Sequence, residues 1–295
     1  MTRIDPTVEL QPEAPPGIPD RLLGRLLVEM GRLKPEQAER IAAVQKKLGV
    51  RFGEAAVKLG LLTEAEVRAA LSSQYGYTYL QPGQGNFSAE LVAAYQPFTP
   101  QAEALRKLRT ELLLRWFNPE RKLLALVSTA SGDGRSYLAA NLAVSFAQLG
   151  ESTLLVDADM RNPRLHQIFN CDNSVGLSSI LSGRMSSYSD GIEHIPVLPS
   201  LYLLPGGPIP PNPLELLGQP SFAILLAYLA ERYEVVLIDT PPSSTHADAQ
   251  IVAARAGGAL MLVRRDRTRI TDIKRLADAF AASGTPIVGT TMNSH

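Results

Sequence analysis

The sequence predicts an α/β chain: a doubly wound, mostly parallel sheet preceded by a small all-α domain. Three observations carry this expectation. From residue 101 onward, apolar runs of strand length alternate with helical patterns, as in a parallel sheet covered on both faces. One of these runs, Leu123–Val127, feeds a glycine-bearing loop, Ser128-Thr-Ala-Ser-Gly-Asp-Gly-Arg-Ser136, into a helical pattern at Leu138–Leu149. Ahead of residue 80 the pattern is instead a helical repeat.

Taken in order, residues 1–17 hold Pro6, Pro12, Pro15 and Pro16 and read as a disordered leader. Residues 18–80 repeat at an offset of 29: Leu23-Gly24 returns as Phe52-Gly53, Gly31 as Gly60, Leu33 as Leu62 and Gln45 as Gln74. Each copy reads as a short helix closed by glycine and followed by a second helix. Thr63 with Glu66 forms a capping box at one such start. Residues 81–100, rich in Gly, Pro and Gln, read as a linker or strap. The remainder, 101–295, begins with a helix at 101–117. Strands follow at 123–128, 153–157, 201–204, 234–239, 259–263 and 286–291, with helices at 137–149, 213–232, 246–256 and 270–283.

Composition bounds the function. The 295 residues are 45% hydrophobic and 20% charged, enough for one large domain and one small one. A formal net charge of +0 gives no electrostatic case for nucleic acid. The single Cys171 makes no internal disulfide framework and suits a reducing compartment. No apolar stretch reaches the length of a membrane span, and Met1–Asp20 is polar. The expectation is a cytoplasmic protein that reaches the membrane only through a partner.

The chemistry points to a nucleotide. A strand–glycine loop–helix start cradles phosphate, because backbone N–H groups converge on the anion, the helix dipole adds to the field and a Ser hydroxyl reaches Mg²⁺. The pattern G-x-x-x-x-G-K-[ST] is met in part: Thr129 fills its first place and Arg135 its Lys. Leu154-Leu-Val-Asp157-Ala-Asp159 and Val235-Val-Leu-Ile-Asp239-Thr-Pro-Pro242 are apolar strands ending in carboxylates. In a parallel sheet these ends lie beside the loop. Mg²⁺ asks for such oxygen ligands, taken directly or through water. The fold class is thus a P-loop NTPase-type doubly wound sheet.

With these motifs placed, residues 101–295 resemble the bacterial tyrosine kinase (BY-kinase) family, in particular the chain-length determinant autokinases of exopolysaccharide operons. Val156-Asp-Ala-Asp-Met-Arg-Asn-Pro-Arg-Leu-His166 is similar to that family's second Walker motif, and Asp239-Thr-Pro-Pro242 to its Walker B. Leu203-Leu-Pro-Gly-Gly-Pro and Pro211-Asn-Pro-Leu-Glu-Leu-Leu are similar to a further block, and Glu103-Ala-Leu-Arg106-Lys-Leu-Arg109 to its oligomerisation motif.

The resemblance implies an ATP-dependent tyrosine autokinase with a membrane polysaccharide co-polymerase as partner. Ser131, Gly132, Asp133, Gly134, Arg135, Ser136 and Tyr137 would form the nucleotide cradle, with Arg135 on phosphate. Ser136, Asp157 and Asp239 would serve Mg²⁺, Asp159 would act on the tyrosine hydroxyl, and Asn293, placed after the last strand, would contact adenine. The helical spacing of Glu103, Arg106 and Arg109 sets both signs of charge on one face, suited to head-to-tail closure of a homo-oligomer.

Two departures stand out. Arg135 is a broad guanidinium fork where the family carries the point charge of Lys, so the rate of catalysis depends on the swap. The family's terminal tyrosine cluster has no counterpart in Thr291-Met-Asn-Ser-His295, so the acceptor is expected elsewhere or on a partner. Tyr75-Gly-Tyr77-Thr-Tyr79 is the one dense tyrosine group, read as aromatic packing.

The repeat region resembles a second family, the N-terminal domains of pilus and type II secretion assembly ATPases. Some of those bind cyclic di-GMP through tandem Arg-Leu-Gly motifs. Arg51-Phe52-Gly53 fits, whereas the first copy has Leu22 for its Arg, and a helical docking domain without ligand is the alternative. Two rivals frame the kinase reading. Partition-type ATPases place a Lys where this chain has Ala130, which argues against that class. A nucleotide-driven assembly regulator of low kinase activity stays open on the strength of Arg135.

Overall fold

The computed structural model describes residues 20–64, 66–67, 70–71, 79–80 and 83–294, which divide into two compact units between Gly76 and Tyr77. The expected leader at 1–17, Gln74, Tyr75, Tyr77 and the side chain of Leu22 lie outside the described residues.

In the first unit, helices α1 (Asp20–Glu29), α2 (Pro35–Leu48) and α3 (Phe52–Lys58) surround a core of Leu23, Leu27, Leu33, Ile41, Phe52, Ala55, Ala56, Leu62 and Ala70. The repeat appears as geometry. Gly31 and Gly60 end their helices with φ of 67° and 65°, a conformation costly for any residue with a Cβ. Thr63 and Glu66 form the reciprocal cap: the Thr63 N–H donates to the Glu66 carboxylate at 2.8 Å, and the Glu66 N–H to the Thr63 hydroxyl at 3.2 Å.

The second unit holds a seven-stranded sheet: β1 (Leu123–Ser128), β2 (Thr153–Asp157), β3 (Glu193–His194), β4 (Leu201–Leu204), β5 (Val235–Asp239), β6 (Ala259–Arg264) and β7 (Ile287–Asn293). Its order is β3-β4-β2-β5-β1-β6-β7, parallel throughout except for β3 against β4. The first and last of these strands were read differently from the sequence. β3 is two residues long, too short to leave a periodicity, and β7 runs on to Asn293, which therefore sits in the strand rather than after it.

The long helices are α4 (Pro100–Arg115), α5 (Arg135–Ala147), α6 (Pro220–Arg232), α7 (Asp248–Ala256) and α8 (Ile270–Ala282). The expected helix at 213–232 is two, Pro213–Gly218 and α6. Pro220 forces the preceding Gln219 into extended backbone (ψ 153°), which ends the first helix. Two apolar layers cover the sheet: Leu124, Leu126, Leu142 and Phe146 on one face, and Ala125, Val127, Phe222 and Val252 on the other.

Residues 83–96 read as linker by composition, yet they belong to this second unit and are pinned to α5. Leu91 and Ala94 are fully buried. The Asn141 side chain accepts from the Ala93 N–H at 2.9 Å and donates to the Glu90 and Tyr137 carbonyls, and the Gln148 amide donates to the Ala93 carbonyl at 2.9 Å. The buried Asn141 of this helix and the Gln148 that caps it are satisfied by this segment's backbone.

Candidate active site

The strand ends of β1, β2 and β5 converge because β5 lies between β1 and β2 in the sheet, and the chain continues to β6 on the far side of β1. That reversal of direction leaves a crevice at the carboxyl edge, the usual ligand site of such sheets. A cavity of about 450 Å³ opens there, lined by Ser131–Ser136 of the loop together with Asp159, Arg161, Asn162, Arg164, Pro242 and His246.

The loop turns through Gly132 (φ 78°) and Gly134 (φ 97°), and α5 begins at Arg135. Asp133 is buried, and its carboxylate accepts from the Ala130 N–H at 2.9 Å, closing the loop from within.

Three carboxylates crowd the floor. Asp157 is fully buried and accepts from the N–H groups of Asp159, Arg164 and Leu165 at 3.2, 2.9 and 3.0 Å. Burial first, and the neighbouring Asp239 second, push its carboxyl up to about 8. Asp159 is raised to about 6, again by burial and then Asp239, against the pull of Arg135. Asp239 is also raised, chiefly by its burial, and its Oδ2 is buried without a partner.

Arg135 does not reach outward over the loop. Its side chain is 7% exposed and turns down onto this floor: Nε donates to Asp239 Oδ1 at 3.2 Å, Nη1 to the Ser128 hydroxyl at 2.7 Å and Nη2 to Asp159 Oδ2 at 3.5 Å. The expectation of Arg135 on phosphate thus meets a guanidinium bound to carboxylates. Its fork geometry lets it address two acids at once, where a Lys ammonium would meet them as a point charge.

A divalent cation fits this floor. Carboxyls raised chiefly by burial, with the Asp239 charge adding to Asp157 and Asp159, and an orphaned Asp239 oxygen mark a site short of positive charge, with Ser136 at the start of the same helix as Arg135. Among the described residues no cluster of three or more His, Cys, Asp or Glu forms a ready cage. Mg²⁺ itself takes one or two protein oxygens and completes its octahedron with water and phosphate.

The rim was not legible in advance. Arg161 pairs with the buried Asp248 at 2.6 Å, and Arg164 with Glu90 at 2.5 Å. On the other side of the loop a cavity of about 160 Å³ is lined by Gln101, Leu105, Tyr137, Leu262 and Asn293 among others. Tyr137 is part-buried there, and burial raises its hydroxyl. Asn293 commits its amide nitrogen to the loop, donating to the Asp133 carbonyl at 2.9 Å.

The Glu103, Arg106 and Arg109 set is unevenly exposed, with Arg109 drawn inward. Glu103 is exposed and pairs with Arg106 at 2.7 Å within the helix. Arg109 is 7% exposed and donates to the Ser145 carbonyl at 2.7 Å, fastening α4 to α5. Two steps of three residues carry a side chain about 120° round the helix, enough to leave the exposed face. Arg51 is exposed at the start of α3.

Residues 104–276 match the profile of the family described as Cellulose biosynthesis protein BcsQ. The chain is 33% identical over 198 residues to the "Putative tyrosine-protein kinase CapB" of Staphylococcus aureus, covering 67% of this chain and 86% of that protein. It is 34% identical over 206 residues to the "Tyrosine-protein kinase wzc" of Salmonella typhi, covering 70% of this chain but 28% of that longer protein. The crystal structure of the chimerical protein CapA2B2 superposes with a TM-score of 0.65 at 35% identity, over 76% of this chain and 97% of that one.

Proposed function

The chain belongs to the bacterial tyrosine-protein kinase family, and we propose that it is an ATP-dependent tyrosine kinase serving exopolysaccharide assembly. The observation that supports this most is Asp159: a carboxylate raised to about 6 at the wall of the loop's cavity, placed to take the proton of an incoming hydroxyl near neutral pH. The N–H groups and helix start at Ser131–Ser136 would hold the phosphates, and Asp157, Asp239 and Ser136 would hold Mg²⁺, whose charge would offset that of the transferred group. The cavity beside Tyr137 and Asn293 takes the base. Arg135, which rests on Asp159 and Asp239 in the free protein, would be the cation to turn to the phosphate on nucleotide binding.

The proposal extends to a membrane polysaccharide co-polymerase as partner and to peripheral membrane attachment through it. No described helix is long and apolar enough to cross a membrane. Full-length protein incubated with Mg²⁺–ATP and the partner's cytoplasmic segment should acquire phosphotyrosine on itself or the partner, mapped by mass spectrometry. ATP turnover with no phosphotyrosine would favour a second reading, an assembly switch driven by nucleotide alone. The specific observation behind that reading is the resting guanidinium of Arg135 on Asp159 and Asp239.

Self-association is proposed through the exposed part of α4. With Arg109 inside, Glu103 and Arg106 are the motif residues left to face another subunit. The double variant Glu103→Ala, Arg106→Ala should shift the sedimentation profile toward monomer without changing the melting temperature. An unchanged profile would return both to a solvated face. For the first unit, docking and a cyclic di-GMP site at Arg51 stand side by side, and a titration of the full chain with that dinucleotide separates them.

A further inference from the structure

We infer that Arg264 and Asn293 are positioning residues that aim the phosphate loop, a role that rests on the nucleotide reading above. They are the last residues of neighbouring strands: Arg264 closes β6, Asn293 closes β7, and the two are register partners. Both reach the same loop from the same side. Arg264 Nη1 donates to the Gly132 carbonyl at 2.7 Å, and Asn293 Nδ2 to the Asp133 carbonyl at 2.9 Å.

A trans peptide is planar, so its C=O and the following N–H point in opposite directions. Holding the Gly132 and Asp133 carbonyls toward β6 and β7 therefore turns the N–H groups of Asp133 and Gly134 the other way. That is the side of β5 and β2, where the large cavity lies against Asp159 and Pro242. Aimed N–H groups bind an anion without reorganising first, which is how a loop with little charge of its own holds phosphate.

The anchors are themselves fixed. The Arg264 N–H donates to the Thr268 hydroxyl at 2.8 Å, and the Asn293 carbonyl accepts from the Arg265 N–H at 2.8 Å. The loop leaves space for Asn293, since a Cβ on Gly134 would come 2.5 Å from its Nδ2, and for a further neighbour, Arg267, whose guanidinium would lie 3.1 Å from a Cβ on Gly132. The glycines thus serve a close approach by neighbouring side chains as well as the positive φ of the turn.

Full-length Arg264→Met, Arg264→Lys and Asn293→Ala variants test the role by two readouts. In the nucleotide-free protein, amide hydrogen exchange at residues 132–135 should be faster in Arg264→Met and Asn293→Ala than in wild type, with melting temperatures unchanged. Titrated with Mg²⁺–ADP, the same variants should bind about tenfold more weakly, on the order of the worth of one hydrogen bond. Arg264→Lys, which keeps a donor on that side, should recover part of both. Loop exchange equal to wild type in Arg264→Met overturns the positioning role. Failure of the wild-type protein to bind Mg²⁺–ADP overturns the nucleotide reading instead, and the exchange experiment still decides the clamp.

Discussion

An Asp159→Asn variant should phosphorylate tyrosine about 10²- to 10⁴-fold more slowly than wild type, the range for loss of a positioned general base. Nucleotide affinity should stay close to wild type, because Asp159 supplies no loop amide and the other two carboxylates remain. Part of its present network survives the change: the Asn162 N–H bonds Asp159 Oδ1 at 3.0 Å, and an Asn side-chain oxygen can accept it. The pH profile adds a second readout. A base must be deprotonated to accept, and burial with the Asp239 charge has lifted this carboxyl from 3.8 to about 6. Wild-type turnover should therefore rise with pH as this carboxyl loses its proton, and the residual rate of the variant should lack that inflection. Single-turnover measurements across pH, with bound nucleotide monitored separately, provide the check. Equal rates for the two proteins would remove Asp159 from the chemistry.

Truncating Arg135 to Ala should destabilise the nucleotide-free protein by about 3 kcal/mol at pH 8, because it leaves buried carboxylates without their cation. The dependence on pH has a definite sign. Arg135 now lowers Asp159 and Asp239, so its removal lets both rise further above their unfolded value of 3.8. A carboxyl raised in the folded state keeps its proton there while the unfolded chain releases it, which costs stability as pH climbs between the two values. The deficit should thus be small near pH 5 and grow toward pH 8. Millimolar Mg²⁺ alone should then raise the melting temperature of Arg135→Ala more than that of wild type, since a divalent cation replaces the missing guanidinium. Identical Mg²⁺ responses would mean that the guanidinium and the metal do not compete for this floor. Arg135→Lys should fall between, one ammonium being unable to span Asp159 and Asp239 as the fork does.

Much of this architecture was legible because it rests on patterns that repeat locally. The apolar runs ending in Asp157 and Asp239 are strands buried on both faces, and glycines at 132 and 134 are where a loop must take positive φ. What escaped was set by distance in the chain. Arg264 meets Gly132 across 132 positions, and nothing near either residue marks the other. Arg109 matched an exposed motif in spacing, yet its partner is a backbone carbonyl on α5, invisible to any reading of α4 alone. Arg135 was legible as a cation beside phosphate, but its resting partners depend on how closely two other strand ends approach. Composition left residues 83–96 open between linker and strap for a related reason: Gly, Pro and Gln announce irregular backbone, not whether a helix elsewhere has buried amides waiting for it.

That segment also decides where the second unit can be cut. A fragment begun at Gln101 would carry every nucleotide motif and look complete. It would nonetheless strip the apolar cover of Leu91 and Ala94 from α5 and take away the partners that Asn141 and Gln148 find at Glu90 and Ala93. Each buried hydrogen bond lost in this way costs about 1–3 kcal/mol. The helix that suffers is the one whose first turn, Arg135 and Ser136, forms the floor of the loop. A kinase fragment that keeps residues 79–100 should therefore be the soluble, nucleotide-competent one, and a fragment trimmed to its motifs should fail in the test tube for reasons unrelated to catalysis.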